Sequence, residues 1–226
     1  GDTNNNFYAG PFVGSGSTLA TLNIGIGKST GFNLTTGCAN IFLGHCVGTA
    51  VTTSTKNIFI GPSAGEKFAV PGYGGAIFIG DRSGCDFTTS GGSNIGIGAR
   101  VFQGKTGGHT NIAIGNQAGR EDNPTVTNTN SYNVSVGEYA GRTLSDGDCN
   151  TNLGFCAGKY VYSSTSDNSA NVFVGVRAGE GIGFFISQGC DISCNVMIGN
   201  LAGNSSNYGP SNSTAQNVII GNRAFQ

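Results

Sequence analysis

The chain has 226 residues, 40 of them Gly and 25 Asn, with 11 Lys and Arg against 12 Asp and Glu for a net charge of −1. Gly shows no three-residue period and Pro numbers only 5, which excludes collagen, and so much Gly at about 1 kcal/mol per helical position excludes a mostly helical protein. No apolar run reaches the ~18 residues of a membrane span, and a pI of 6.1 with no basic patch offers nucleic-acid phosphate no landing surface.

In chain order the predicted elements are twelve copies of one nine-residue pattern, with Asn111-Ile-Ala-Ile-Gly-Asn-Gln-Ala-Gly119 as its template. The copies occupy 6–14, 23–31, 40–48, 57–65, 76–84, 94–102, 111–119, 133–141, 150–158, 171–179, 195–203 and 217–225. Position two is almost always Ile or Val, from Ile24 to Val218, with Phe7 and Thr151 as exceptions. Position four is Ile, Leu or Val in every copy but the first, which has Ala9. Alternation with period two and β-branched enrichment predict a short strand at positions two to four of each copy.

Position five is Gly throughout: Gly10, Gly27, Gly44, Gly61, Gly80, Gly98, Gly115, Gly137, Gly154, Gly175, Gly199 and Gly221. A residue without Cβ there predicts positive φ or close passage of another backbone. Successive differences are 17, 17, 17, 19, 18, 17, 22, 17, 21, 24 and 22. A unit of 17 with insertions in the spacers predicts an all-β, parallel β-solenoid of twelve coils forming a single domain over 1–226. Position-one Asn is predicted to stack as a ladder through Asn23, Asn40, Asn57, Asn94, Asn111, Asn133, Asn171, Asn195 and Asn217.

Position three faces opposite to two and four in a strand. With two and four inside, an outward row of Phe42, Phe59, Phe78, Phe173, Met197 and Ile219 is too apolar for a monomer surface. This stripe is therefore expected to pack against sister chains, the alternative being that it is plain core.

The repeats Asn111 to Gly119 and Asn195 to Gly203 resemble the head repeats of YadA-like trimeric autotransporter adhesins. They are also similar to the Asn/Gly-rich repeats of fibre proteins from marine bacteriophages and algal viruses, a group that the spacer Thr35-Thr36-Gly37-Cys38-Ala39-Asn40 fits too. The adhesin resemblance implies a left-handed parallel β-roll, trimeric, surface-exposed and non-enzymatic. The longer unit and the aromatic residues at position three depart from that family, and no binding residue carries over.

Other motifs dissolve into the repeat. Gly61-Pro62-Ser63-Ala64-Gly65 matches a nucleophile elbow but is positions five to nine of an ordinary copy. Gly27-Lys28-Ser29 and Gly104-Lys105-Thr106 lack the leading Gly of a P-loop, having Leu22 and Ala99 there. His45 stands at position six of a copy and His109 in a spacer, far apart in the chain; no repeat position carries a carboxylate in successive copies, and the seven Cys form no zinc spacing. No catalytic residue, metal or cofactor is therefore expected. A turn disulfide, Cys149 with Cys156 or Cys190 with Cys194, is weighed against buried thiols.

The function expected is structural: an extracellular, cell-surface or virion fibre built by lateral, trimeric self-association. Neither terminus carries a recognisable cap, so end-to-end stacking or excision from a longer fibre is also expected. The competing reading is a glycan-binding tail-fibre or adhesin tip, with aromatic residues of the enlarged spacers, Tyr132, Tyr160, Tyr162, Phe184, Phe185 and Tyr208, stacking on sugar. A polysaccharide-acting β-helix enzyme ranks third.

Overall fold

The computed structural model describes residues 4–72, 74–89, 91–122, 129–144, 147–161, 168–182, 192–204 and 216–225. The chain divides into two compact units, Gly1–Thr110 and Asn111–Gln226. The first holds β1 (Phe7–Ala9), β2 (Ile24–Ile26), β3 (Ile41–Leu43), β4 (Ile58–Ile60), β5 (Ile77–Ile79) and β6 (Ile95–Ile97). The second holds β7 (Ile112–Ile114), β8 (Val134–Val136), β9 (Thr151–Leu153), β10 (Val172–Val174), β11 (Val196–Ile198) and β12 (Val218–Ile220). We call each strand with its turns and spacer a rung, numbered by its strand.

Within each unit every strand pairs in parallel with the next one in sequence, and equivalent repeat positions face each other. Ile41 pairs with Ile58 and Ile58 with Ile77; Val134 pairs with Thr151 and Thr151 with Val172. This is the all-β parallel solenoid that the repeat predicts.

A rung closes because its backbone turns left-handed at three fixed places: just before position one, at position seven and at position nine. In the second rung these are Leu22 (φ 57°), Ser29 (φ 55°) and Gly31 (φ 56°). Non-Gly residues adopt this conformation at a cost of roughly 1–2 kcal/mol each, which persists only where the surroundings over-determine it. Neighbouring rungs do so. The Ser29 N–H donates to Pro11 O at 3.0 Å and the Cys46 N–H to Lys28 O at 3.0 Å, one position-seven residue after another.

The position-five Gly is imposed by stacking. A methyl built on Gly61 (φ 119°) lies 2.7 Å from the Gly80 carbonyl oxygen, and one on Gly115 (φ 129°) lies 2.6 Å from that of Gly137. At these positions the Gly lets the next rung's backbone pass over it.

The interior belongs to position three. Phe59, Phe78, Phe173 and Met197 are fully buried and Phe42 is 1% exposed, while Ile219 packs half-buried against the second unit's core. This corrects the expectation that the row is an outward oligomer stripe. Phe42, Phe59 and Phe78 stack at centroid distances of 5.4 and 5.1 Å, and Phe68 meets Phe59 edge-on at 5.2 Å. The physical reason is room. Position nine folds back over position three, so a Gly there leaves space for a ring: a Cβ on Gly48 would sit 3.1 Å from Phe42. Rung six exchanges the two roles, with Gly96 at position three and Phe102, 3% exposed, supplying the ring from position nine.

Inside the strand corner runs the Asn ladder. Asn23 Oδ1 accepts from the Asn40 N–H at 2.9 Å and from Asn40 Nδ2 at 3.0 Å, and Asn40 Nδ2 also donates to Ser54 O at 3.0 Å. The Asn40 amide thus closes its own rung, fourteen residues on, and holds the neighbouring one, whereas the Asn150 amide nitrogen finds no partner among the described residues. Asn57 repeats the pattern on Asn40, as do Asn133 on Asn111, Asn171 on Asn150, Asn195 on Asn171 and Asn217 on Asn195. Ala76 interrupts it, keeping only its backbone N–H bond to Asn57 Oδ1 at 3.1 Å. Asn94 restarts it by donating to the Gly91 and Gly108 carbonyls, both at 2.9 Å.

Candidate functional site

With position three inside, positions two and four point outward. The aliphatic residues expected to fill the core instead make the outer face of the sheet in each unit. Ile24 is 39% exposed, Ile26 42%, Ile114 39% and Leu153 47%. Within a strand two successive outward side chains lie about 6.6 Å apart, and rungs repeat every ~4.8 Å, so the methyls form a mesh about 24 Å long on each six-stranded unit. In the first unit its columns are Phe7, Ile24, Ile41, Ile58, Ile77 and Ile95 beside Ala9, Ile26, Leu43, Ile60, Ile79 and Ile97. In the second they are Ile112, Val134, Thr151, Val172, Val196 and Val218 beside Ile114, Val136, Leu153, Val174, Ile198 and Ile220. No charged residue interrupts either.

Carboxylates of the spacers clasp successive rungs. Asp86 accepts from Lys67 Nζ at 2.8 Å, from the Cys85 thiol at 3.2 Å and from the Gly104 N–H at 3.0 Å. Asp122 accepts from Arg142 Nε at 2.8 Å and from the Thr143 hydroxyl at 3.0 Å, and Glu180 pairs with Arg177 at 2.8 Å and Lys159 at 3.7 Å. Burial pushes the Asp86 carboxyl up, but Lys67 and the Gly104 N–H outweigh it and hold it below the ordinary carboxylate value. Asp122 is treated alike: burial raises it, and Arg142 and Thr143 bring it below the ordinary value.

Of the spacer aromatics named as sugar platforms, Tyr160 is covered on its ring by Lys159 Nζ at 4.7 Å from the centroid and by Arg142 at 5.9 Å. Its face is therefore occupied from within the chain. Tyr132 is exposed, and Tyr162, Phe184, Phe185 and Tyr208 lie outside the described residues.

Cys38, Cys46, Cys85, Cys149, Cys156 and Cys194 are all free thiols, so Cys149 and Cys156 do not bridge; Cys190 lies outside the described residues. Burial, reinforced by Asp86, pushes the Cys85 thiol up to about 12. Ser63 of the G-x-S-x-G segment sits at an ordinary left-handed position seven (φ 54°), its N–H donating to His45 O at 2.9 Å. Among the described residues no group of three or more His, Cys, Asp and Glu is placed to hold a metal ion, and no helix is long and apolar enough to cross a membrane.

Sequence reasoning placed the position-three row on the outside, whereas the structure buries it. The pairing of Gly96 with Phe102, against Phe59 with Gly65 and Phe78 with Gly84, is the signal that shows positions three and nine sharing one interior. No family model matches the chain, and neither a curated protein nor a solved structure matches it.

Proposed function

We propose that the chain is a structural, non-catalytic repeat element of an extracellular, cell-surface or virion fibre, and that it associates laterally as a trimer through the outward columns at positions two and four. The outward aliphatic face carries this reading. Monomeric proteins rarely leave a contiguous, charge-free apolar strip of this kind in water. Two sister sheets with the same rung spacing, set about a common axis, cover it along its length, rung beside rung. The Asn ladder and the left-handed turns keep the strands short and in register, and no charged residue stands at positions two or four.

Sedimentation equilibrium tests the proposal. The expected mass is that of three chains, falling to one when Ile58→Lys and Val172→Lys place a charge on each unit's face while circular dichroism stays unchanged. A wild-type mass of one chain across the accessible concentration range contradicts it.

A further inference from the structure

The outward face of the second unit contains a single polar side chain. Of its twelve residues eleven are Ile, Val or Leu, and the twelfth is Thr151, at position two of rung nine. Asn152 beside it points inward and is fully buried, so the strand direction puts the Thr151 hydroxyl outside, among Val134, Val172 and Leu153. The Thr151 backbone N–H is used in the ladder, donating to Asn171 O at 2.8 Å, but its hydroxyl has no partner within the described chain. Val would fit the same place without it, as it does at the rungs on either side.

We propose that Thr151 sets the register of lateral association: copies of this chain pack parallel and level, so that their Thr151 hydroxyls meet and bond one another. The inference rests on the lateral assembly proposed above. A hydroxyl covered by a neighbour's aliphatic face loses its water and gains nothing, which is the costly case for a polar group. Sliding one copy by a single rung, about 4.8 Å, puts every Thr151 against Val134 or Val172 of its neighbour. The aliphatic columns resist such a slip weakly, because Val repeats at successive rungs and one register buries nearly as much as the next. One polar group in an otherwise uniform apolar interface is the device that separates such near-equal registers. Parallel packing, besides matching Thr151 with Thr151, pairs each rung with its own equivalent and so leaves no rung of the unit's face uncovered.

Cys149 and Cys194, both exposed, occupy the same turn of rungs nine and eleven and serve as reporters. Two samples each carry one nitroxide, on Cys149 or on Cys194, with Cys38, Cys46, Cys190 and the other reporter changed to Ser. Double electron–electron resonance on the assembled protein is expected to give one narrow distance, the same for both labels. In Thr151→Val the assembled mass stays, and the distribution spreads into steps of one rung; Thr151→Ser, which keeps the hydroxyl, restores the single distance. An unchanged distribution in Thr151→Val overturns the proposal. So does a wild type in which the two labels give different distances, as copies running in opposite directions would. A wild-type mass of one chain overturns the lateral assembly itself, whereas an intact assembly with mixed registers overturns only the role of Thr151.

Discussion

Replacing Phe59 by Ala removes a ring that is fully buried, stacked between Phe42 and Phe78 at 5.4 and 5.1 Å and touched edge-on by Phe68 at 5.2 Å. Above and below it other rungs hold their rings in place through the backbone ladder, so the space does not collapse, and the loss belongs at the upper end of the Phe→Ala range, about 4–5 kcal/mol. With a urea slope of about 1.5 kcal/mol/M the midpoint falls by about 3 M. Ile58→Ala, one residue away on the half-exposed face, costs about 1 kcal/mol within the chain. The two differ in a second way. The Phe59→Ala loss is expected to be the same at every protein concentration, whereas under the proposed lateral assembly the Ile58→Ala loss grows with concentration. Urea unfolding followed by far-ultraviolet circular dichroism at several concentrations reads both quantities. A Phe59→Ala midpoint within about 0.3 M of wild type, or a larger loss in Ile58→Ala at the lowest concentration, refutes the reasoning.

Gly115→Ala sets a methyl against the Gly137 carbonyl in a φ region closed to other residues and is expected to abolish cooperative unfolding of the second unit, while Gly72→Ala, at φ 71° with open space around it, costs about 1 kcal/mol; thermal melts distinguish them. The depressed Asp86 and Asp122 carboxyls contribute stability that is complete above the unfolded value near ~3.9 and is lost as pH falls through their lower folded values. Asp86→Asn is expected to flatten the acid limb of the stability–pH curve, by no more than about 1 kcal/mol because Lys67 is largely exposed. Cys149 and Cys194 are expected to react with a thiol reagent at pH 8 in the folded protein, and Cys85, held at about 12, only after unfolding; peptide mapping of the labelled sites checks this.

Much of the architecture is written in the spacing of Ile-x-Ile-Gly. Recurrence at 17 residues or a little more fixes short strands, and Gly at position five marks where backbone passes over backbone. The Asn ladder follows from the same register, since one amide per rung at one place has its equivalents as neighbours. The inside and outside of the strand do not follow from alternation. Period two separates Ile58 and Ile60 from Phe59 without saying which side is dry, and β-branched residues suit either face of a sheet. What decides it is position nine, six residues on: Gly65 opens a slot that the Phe59 ring fills, and in rung six Phe102 fills the slot that Gly96 leaves. The left-handed conformations were illegible for a different reason. Residues as dissimilar as Leu22, Tyr132, Cys156 and Arg177 adopt them, because neighbouring rungs rather than side-chain preference impose the turn. The carboxylate clasps were hidden too, since Asp86, Asp122 and Glu180 meet their cations across rungs and across irregular spacers.

Thiol labelling of single cysteines placed at adjacent positions of β4 tests the central arrangement most directly. In a chain whose native cysteines are replaced, Ile58→Cys is expected to react when the protein is dilute and dissociated and to be shielded once it assembles, while Phe59→Cys is shielded in both states. Ready labelling of folded Phe59→Cys, or labelling of Ile58→Cys that is indifferent to concentration, contradicts the account.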